Sequence, residues 1–184
     1  MSTGSTRATR LATVLLATVA VLSSTAPPVS AAGRSALPKL GVQQPAGPES
    51  GNPAPSVVPS LREWFGGRGM LTLGPGSRVV VDSANKTVLA DEARILSDGL
   101  ADVTGRSVPV VSTPRPRGGD IFLSLQGADP AVGPEGYGLN VGDAAEVRGT
   151  TAAGVFYGTQ TLLQILKAVS GHRALPRGAA RDWP

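Results

Sequence analysis

The sequence predicts an α+β fold, a mostly antiparallel or mixed β-sheet with two helices packed on one face. Two observations lead there. The segments "NKTVLADEARILSDGLADVTG" and "AAGVFYGTQTLLQILKAVSG" each space their apolar residues by 4, 3, 4 and 3, which draws one stripe along a helix. Around them lie short apolar runs bounded by turn residues, which read as strands. Strands joined by short turns favour antiparallel pairs, and the two stripes supply the cover for one side of the sheet.

Before the first strand come two segments of another kind. Residues 1–32 open with Arg7 and Arg10, continue through an apolar run from Leu11 to Leu22, and close on small residues and prolines ending in Val29-Ser30-Ala31. This is the pattern of a secretory signal peptide cut after Ala31 or Ala32. The apolar run is too short to span a bilayer, and an uncleaved signal anchor is the alternative. Residues 33–56, rich in Pro, Gly and Ser and without apolar periodicity, read as a linker. The folded domain is expected over 57–178.

Within it, "MLTL" (Met70 to Leu73) and "RVVVD" (Arg78 to Asp82) flank the turn "GPGS" and suggest a hairpin or an adjacent pair. The first helix follows, with Leu89, Ala93, Leu96, Leu100 and Val103 on its buried stripe. Asp91, Arg94 and Asp98 fall outside that stripe, Ser83 or Asn85 can cap the start, and Gly105 suits the stop. Then come "SVPVVS" (107–112), "DIFLSL" (120–125), "GYGLNV" (136–141) and "EVRGT" (146–150). Alternation puts Ile121, Leu123 and Leu125 on one face, and likewise Tyr137, Leu139 and Val141. The second helix carries Val155, Thr159, Leu162, Leu166 and Val169 on its stripe and ends at Gly171. The last residues, "RALPRGAA" and then "RDWP", are Pro/Gly-punctuated, and Trp183-Pro184 has no evident packing partner in the sequence.

Composition bounds what this domain can do. Aromatics make up only 4% of the 184 residues, so the core must be aliphatic. There is no cysteine, which removes disulfides, thiol catalysis, cysteine metal sites and a lipidated cysteine at the cleavage point. The formal net charge is +4, of which Arg7 and Arg10 supply two, leaving +2 after cleavage. No basic stripe survives beyond Arg115 and Arg117 in a turn, so no nucleic-acid partner is expected.

Catalytic candidates are few. His172 is the single histidine and follows a helix end, where a capping role fits. Asp91 and Glu92 point apart, Asp98 and Asp102 share the solvated face, and Asp82 and Asp120 sit at strand ends where they serve turns and caps. "GPGSRVV" opens no helix and lacks the layout of a phosphate loop. Gly154 and Gly158, four apart inside a helix, instead permit close approach to a sheet or a neighbour. Gln160, Thr161 and Gln164 lie in that otherwise apolar helix and need partners, from the domain's own sheet edge or from a second domain.

"EGYGLNV" at 135–141 followed by "VRGTTAAGVFYGTQTLLQIL" at 147–166 resembles the N-terminal accessory domain of family 20 glycoside hydrolases, the β-N-acetylhexosaminidases of chitobiase type. Weaker matches are "VVPS" at Val57, "RVVVD" at Arg78 and "LADVTGRSVPV" at 100–110, so the resemblance spans about Val57 to Pro184. A related accessory domain occurs in some other glycosidase families.

The resemblance implies a sheet with two helices on one side, packed beside a (β/α)8 barrel that carries the chemistry. There a Glu acts as general acid/base, and an Asp orients the substrate's own N-acetyl group as nucleophile. An Arg grips the sugar, and several Trp line the pocket. None of these motifs is matched in this sequence, so no catalytic, substrate-binding or metal residue and no cofactor is expected. Residues 179–184 resemble the lead-in to the first barrel strand.

Together these readings place a domain-interface or packing motif at Gly154, Phe156, Tyr157, Gly158, Gln160, Thr161, Asp182 and Trp183. The expected partners are a barrel in the same polypeptide and, for the complete enzyme, N-acetylhexosamine-containing glycans, in a secreted protein without a stable membrane anchor after signal cleavage. The sequence thus reads as the exported, inactive N-terminal part of a hexosaminidase. The alternative is a free-standing secreted module binding glycans or protein, with Trp64, Phe65 and Trp183 as its available aromatics.

Overall fold

The computed structural model describes residues 51–184, so the expected signal peptide and most of the expected linker lie outside the described residues. Seven strands are present there: β1 (Glu63–Thr72), β2 (Val79–Val81), β3 (Val110–Ser112), β4 (Ile121–Ser124), β5 (Tyr137–Val141), β6 (Ala145–Gly149) and β7 (Ala174–Asp182). Helix α1 (Ala90–Thr104) joins β2 to β3, and α2 (Ala152–Ala168) joins β6 to β7. The strands form one mixed sheet in the order β1-β7-β5-β6-β4-β2-β3.

Side-chain alternation explains why both helices cover the same face. Val79 and Val81, Ile121 and Leu123, Ala145 and Val147, and Leu139 project into one core with Leu96 and Leu100 of α1 and Leu162 and Leu166 of α2. The two helices touch where Gly99 meets the Leu163 side chain. Leu162 and Leu166 have no exposed surface, so truncating either to Ala removes about 2–5 kcal/mol of packing. Parallel strands are commonly buried on both faces, and β2 and β4 follow suit: Val80 and Phe122 point away from the helices yet are also buried. The Arg148 guanidinium lies 5.6 Å from the Phe122 ring centroid on that side.

Several sequence expectations are corrected. Strands β1 and β2 are neither a hairpin nor neighbours, because β1 pairs antiparallel with β7 while β2 lies between β3 and β4, parallel to both. The "GPGS" turn closes on itself through Ser77 N–H to the Gly74 carbonyl and carries the chain across the sheet. Helix α1 supplies the crossover that a parallel β2–β3 pair requires. Of the sequential strand pairs, β5 and β6 are the antiparallel neighbours.

The start of α1 is also different. Its N-cap is Leu89, without a side-chain cap; Ser83 and Asn85 instead form a 3-10 turn capped by Asp82, whose carboxylate accepts from Ala84 N–H at 3.0 Å. Asn85 is drawn inward, accepting from the Leu125 N–H at 3.0 Å. Gly105 ends α1 in the left-handed conformation as expected. Helix α2 stops at Ala168, before Gly171.

The Pro/Gly-punctuated run near the end is strand β7, held between β1 and β5. Gly178 is required there. A Cβ on it would lie 2.6 Å from the Trp64 ring, and its φ of 156° suits glycine. On the other flank, Asn52 donates through Nδ2 to the Gly69 carbonyl at 2.7 Å and the Arg177 carbonyl at 3.0 Å, so the residues just before the expected domain start are tied to β1 and β7.

Candidate functional site

The site forms where α2 meets the open ends of β5 and β7. Thr151 caps α2, its hydroxyl accepting from Gly154 N–H at 3.3 Å. Gly154 and Gly158 then let the helix descend onto the sheet. A Cβ at Gly158 would lie 2.5 Å from Val147 Cγ1 and 3.0 Å from Tyr137 Cδ2, and one at Gly154 would strike the Gly136 carbonyl. That descent brings Thr161 Oγ1 within 2.6 Å of Tyr137 Oη.

Tyr137 and Asp182 are partners in the β5–β7 register, and the phenol donates to Asp182 Oδ2 at 3.0 Å. Asp182 Oδ1 accepts from the Arg62 backbone N–H at 3.2 Å. Arg62 Nε donates to the Trp183 carbonyl at 2.6 Å while its guanidinium lies 5.3 Å from the Trp183 ring centroid. Arg181 lies 5.8 Å from the same ring and binds Glu63 at 3.0 Å. Gln164 clips the entering chain from the other side: its Oε1 accepts from Val58 N–H at 2.9 Å and its Nε2 donates to the Val58 carbonyl at 3.2 Å.

Between these walls runs a groove of about 710 Å³, lined by residues 58–62, Glu135, Tyr137, Tyr157, Gln160, Thr161, Gln164 and 182–184. Its floor is the Tyr137–Thr161–Asp182 network, and burial, reinforced by the Asp182 charge and opposed by the Thr161 hydrogen bond, pushes the Tyr137 phenol well above its ordinary pKa. Its rim includes Val58 (83% exposed) and Tyr157 (44% exposed). The Tyr157 ring is braced edge-on by Phe156, with centroids 5.7 Å apart.

The predicted interface-or-packing residues therefore divide. Gly154 and Gly158 are buried packing residues, and Phe156 is half-buried beside Tyr157. Tyr157, Gln160, Thr161, Asp182 and Trp183 line the groove together. Trp183, without an evident partner in the sequence, has two in Arg62 and Arg181. Residues 58–62, Glu135 and Tyr137 line the groove as well, although the sequence places none of them in the interface motif. The Gln164–Val58 clip spans 106 residues, which no local pattern reveals.

His172, Asp82, Asp120 and Asp98 each have a partner in the structure. His172 caps α2, with Nδ1 3.2 Å from the Leu166 carbonyl. Asp82 also accepts from the Ser124 hydroxyl at 2.8 Å. Asp120 has no exposed side-chain surface and binds Arg78 through both carboxylate oxygens, at 2.5 and 3.0 Å. Burial opposes its ionisation, but Arg78, the Arg117 backbone N–H and both guanidinium charges outweigh that and hold its carboxyl below the usual range. Arg94 and Asp98 form an exposed pair one helical turn apart. Among the described residues, no three His, Cys, Asp or Glu side chains are grouped to hold a metal. Of the aromatics weighed for glycan binding, Trp64 is half-buried and donates to the Asn52 carbonyl at 2.9 Å, whereas Phe65 is 63% exposed on β1.

Comparison with known proteins gives one consistent answer. The model of glycosyl hydrolase family 20, domain 2, matches residues 54–183. A lacto-N-biosidase of Bifidobacterium bifidum is 37% identical over 157 residues, covering 84% of this chain but 13% of that protein. A Streptomyces plicatus N-acetyl-β-hexosaminidase, solved in complex with Thio-NAglucal, matches with a TM-score of 0.55 and 31% identity over 74% of this chain and 28% of its own. A family 20 β-N-acetylhexosaminidase of Streptomyces coelicolor A3(2) gives 0.56 and 29% identity over 72% of this chain and 27% of its own. The chain thus spans about an eighth of the curated relative and under a third of these two solved ones.

Proposed function

The chain belongs to glycosyl hydrolase family 20 through its domain 2, and from that premise we propose that it serves as the non-catalytic accessory domain of a secreted β-N-acetylhexosaminidase. The observation that carries this reading is the pairing of coverages: the family's domain 2 accounts for residues 54–183, while the match takes up 28% of the S. plicatus hexosaminidase chain. The catalytic work then belongs to the larger remainder, a (β/α)8 barrel in the same polypeptide. There a Glu acts as general acid/base, and an Asp aligns the substrate's N-acetyl group as nucleophile, so terminal N-acetylhexosamine leaves with retained configuration.

The groove supports a structural role. Both oxygens of Asp182 are engaged, one by Arg62 N–H and one by Tyr137, which commits this carboxylate to joining the segment before β1 and strand β5 to the end of β7. Two relatives sharing this domain are named for different activities, a hexosaminidase and a lacto-N-biosidase. The choice of glycoside accordingly belongs to the barrel. Export rests on the pattern of residues 1–32, and N-terminal sequencing of the secreted protein is expected to begin at Ala32 or Gly33.

The test is a domain exchange. Residues 51–184 replace the corresponding domain of the S. plicatus hexosaminidase, and the product is assayed on a chromogenic N-acetyl-β-glucosaminide. Soluble, active enzyme is expected; aggregation or loss of activity counts against the reading. A competing reading, a free-standing glycan- or protein-binding module, draws on the exposed Phe65 and Tyr157 rings. Saturable binding of chitooligosaccharides by the chain alone would favour it.

A further inference from the structure

We propose that a cluster of five arginines around the turn Leu73–Ser77 binds an extended polymer carrying phosphate groups. The surface lies at the end of β7 away from the groove, and the inference is independent of the accessory-domain reading.

The cluster is gathered from five separate points of the sequence, so no run of basic residues announces it. Arg78 precedes β2, Arg106 follows α1, Arg117 precedes β4, Arg173 precedes β7 and Arg177 lies within it. Hydrogen bonds fix these points to one another. Arg106 Nη2 donates to the Leu73 carbonyl at 3.2 Å, and the Leu73 N–H donates to the Arg173 carbonyl at 2.7 Å. Arg117 Nη2 donates to the Gly76 carbonyl at 3.4 Å, and its Nε lies 3.9 Å from Asp120, the carboxylate that Arg78 holds. Arg177 binds the Asp143 carboxylate at 3.0 Å, and the Asp143 carbonyl accepts from the Gly119 N–H at 2.7 Å.

Charge decides what fits here. Asp120 and Asp143 are the carboxylates paired with these five cations, which leaves +3 (5 − 2). Asp102 and Lys167, which share a surface dent with His172, cancel each other. The nearby ends of α1 and α2 each add about half a negative charge, so the surface keeps about +2. Of the two carboxylates, Asp120 is turned inward, whereas the Arg117 side chain is 63% exposed. Arg173 is exposed and its side chain has no partner among the described residues.

All five cations are arginines. Their planar forks match paired phosphate oxygens better than an ammonium does, and each keeps N–H donors beyond those already engaged. Arginines spread over the end of a sheet suit a chain of repeated phosphates more than a single ion. The exposed aromatic rings among the described residues are Phe65 and Tyr157, and neither stands in the cluster. Base stacking and interfacial insertion, which nucleic acid and a membrane would use, are therefore not provided for.

The probe is inorganic polyphosphate, titrated into the protein by calorimetry at about 50 and about 200 mM salt. Saturable binding is expected, weaker by about tenfold at the higher salt, because screening by salt weakens contacts between exposed charges. The variant Arg117→Gln/Arg173→Gln/Arg177→Gln is expected to bind at least about tenfold more weakly. Lys86→Gln/Arg94→Gln/Arg115→Gln, which removes the same charge from exposed positions outside the cluster, is expected to stay within about twofold of wild type. Equal weakening by both variants, or by neither, overturns the proposal. Phenylglyoxal modification of the wild-type protein, read by mass spectrometry, gives an answer that needs no variant to fold. Polyphosphate is expected to slow the reaction of Arg117 and Arg173 and to leave Arg94 unchanged; equal rates at all three overturn the proposal. Tighter binding of an oligothymidine or of phosphatidylglycerol vesicles would assign the surface to nucleic acid or to a membrane instead. None of these outcomes bears on the domain exchange, so either idea can fail alone.

Discussion

Tyr137 and Asp182 face each other across β5 and β7, and the phenol donates to the carboxylate at 3.0 Å. This one bond ties the floor of the groove to the last residue of the sheet, and Thr161 on α2 joins it at 2.6 Å. Replacing Tyr137 by Phe keeps the ring and removes the link between all three elements. The expected loss is about 1–2 kcal/mol of stability, measured by denaturant unfolding. An unchanged midpoint would show that the network is not needed to close the sheet.

The same phenol sets an alkaline limit. Burial, with the charge and hydrogen bond of Asp182, outweighs the Thr161 hydrogen bond and raises its pKa in the folded state, whereas the unfolded chain ionises near the free value of about 10. Between those values the unfolded state has lost a proton that the folded state keeps, so stability falls as pH rises above about 10. Tyr137→Phe is expected to flatten this slope relative to wild type between pH 9 and 11. Parallel slopes would contradict the assignment.

Asp120 sets the opposite limit. Its folded pKa is depressed, so the stabilisation it supplies is present above the unfolded value near 4 and is lost as pH falls through the folded value. Asp120→Asn is expected to lower the melting temperature at neutral pH and to weaken the acid dependence below pH 4, because Arg78 then loses its buried partner. Circular dichroism melts from pH 2 to 7 on both proteins check this.

Gly158→Ala tests how α2 reaches the sheet. Alanine improves helix propensity by about 1 kcal/mol, but its Cβ would press on Val147 and the Tyr137 ring. Overpacking of about 1–3 kcal/mol is expected to win, giving a net loss. Gly99→Ala is the control: there the obstructing atom is the end of the Leu163 side chain, which can rotate away, and stability is expected to hold or rise.

Gln164→Ala releases the clip on Val58. About 1 kcal/mol of stability is expected to go, with faster hydrogen exchange at the Val58 amide and none of that acceleration in β5. Equal acceleration throughout the sheet would mean that the clip supports the whole fold and not the groove wall.

The legibility of this fold follows the range of its interactions. Both helices could be read because their stripes are local, and the buried faces of β4 and β5 because alternation is local. Strand β7 could not. Pro176, Gly178, Ala179 and Ala180 carry little strand propensity, and the segment is held by pairing on both sides to β1 and β5. Strand β1 was read short for a related reason: Gly66, Gly67 and Gly69 interrupt its alternation, and its register shifts between Gly66 and Met70. The parallel placement of β2 between β3 and β4 depends on a crossover that no short window contains. In the groove, α2 announced Gln160, Thr161 and Gln164 through their polarity in an apolar helix, and Tyr157 through the family resemblance alone. Arg62 and Val58 gave no such signal, since their partners lie more than 100 residues away.

The most direct test of the central claim is release of 4-nitrophenol from 4-nitrophenyl N-acetyl-β-D-glucosaminide by the purified chain. A non-catalytic accessory domain predicts a rate equal to that of a heat-inactivated control at every enzyme concentration. A rate that rises in proportion to the chain and disappears on heating would contradict the account.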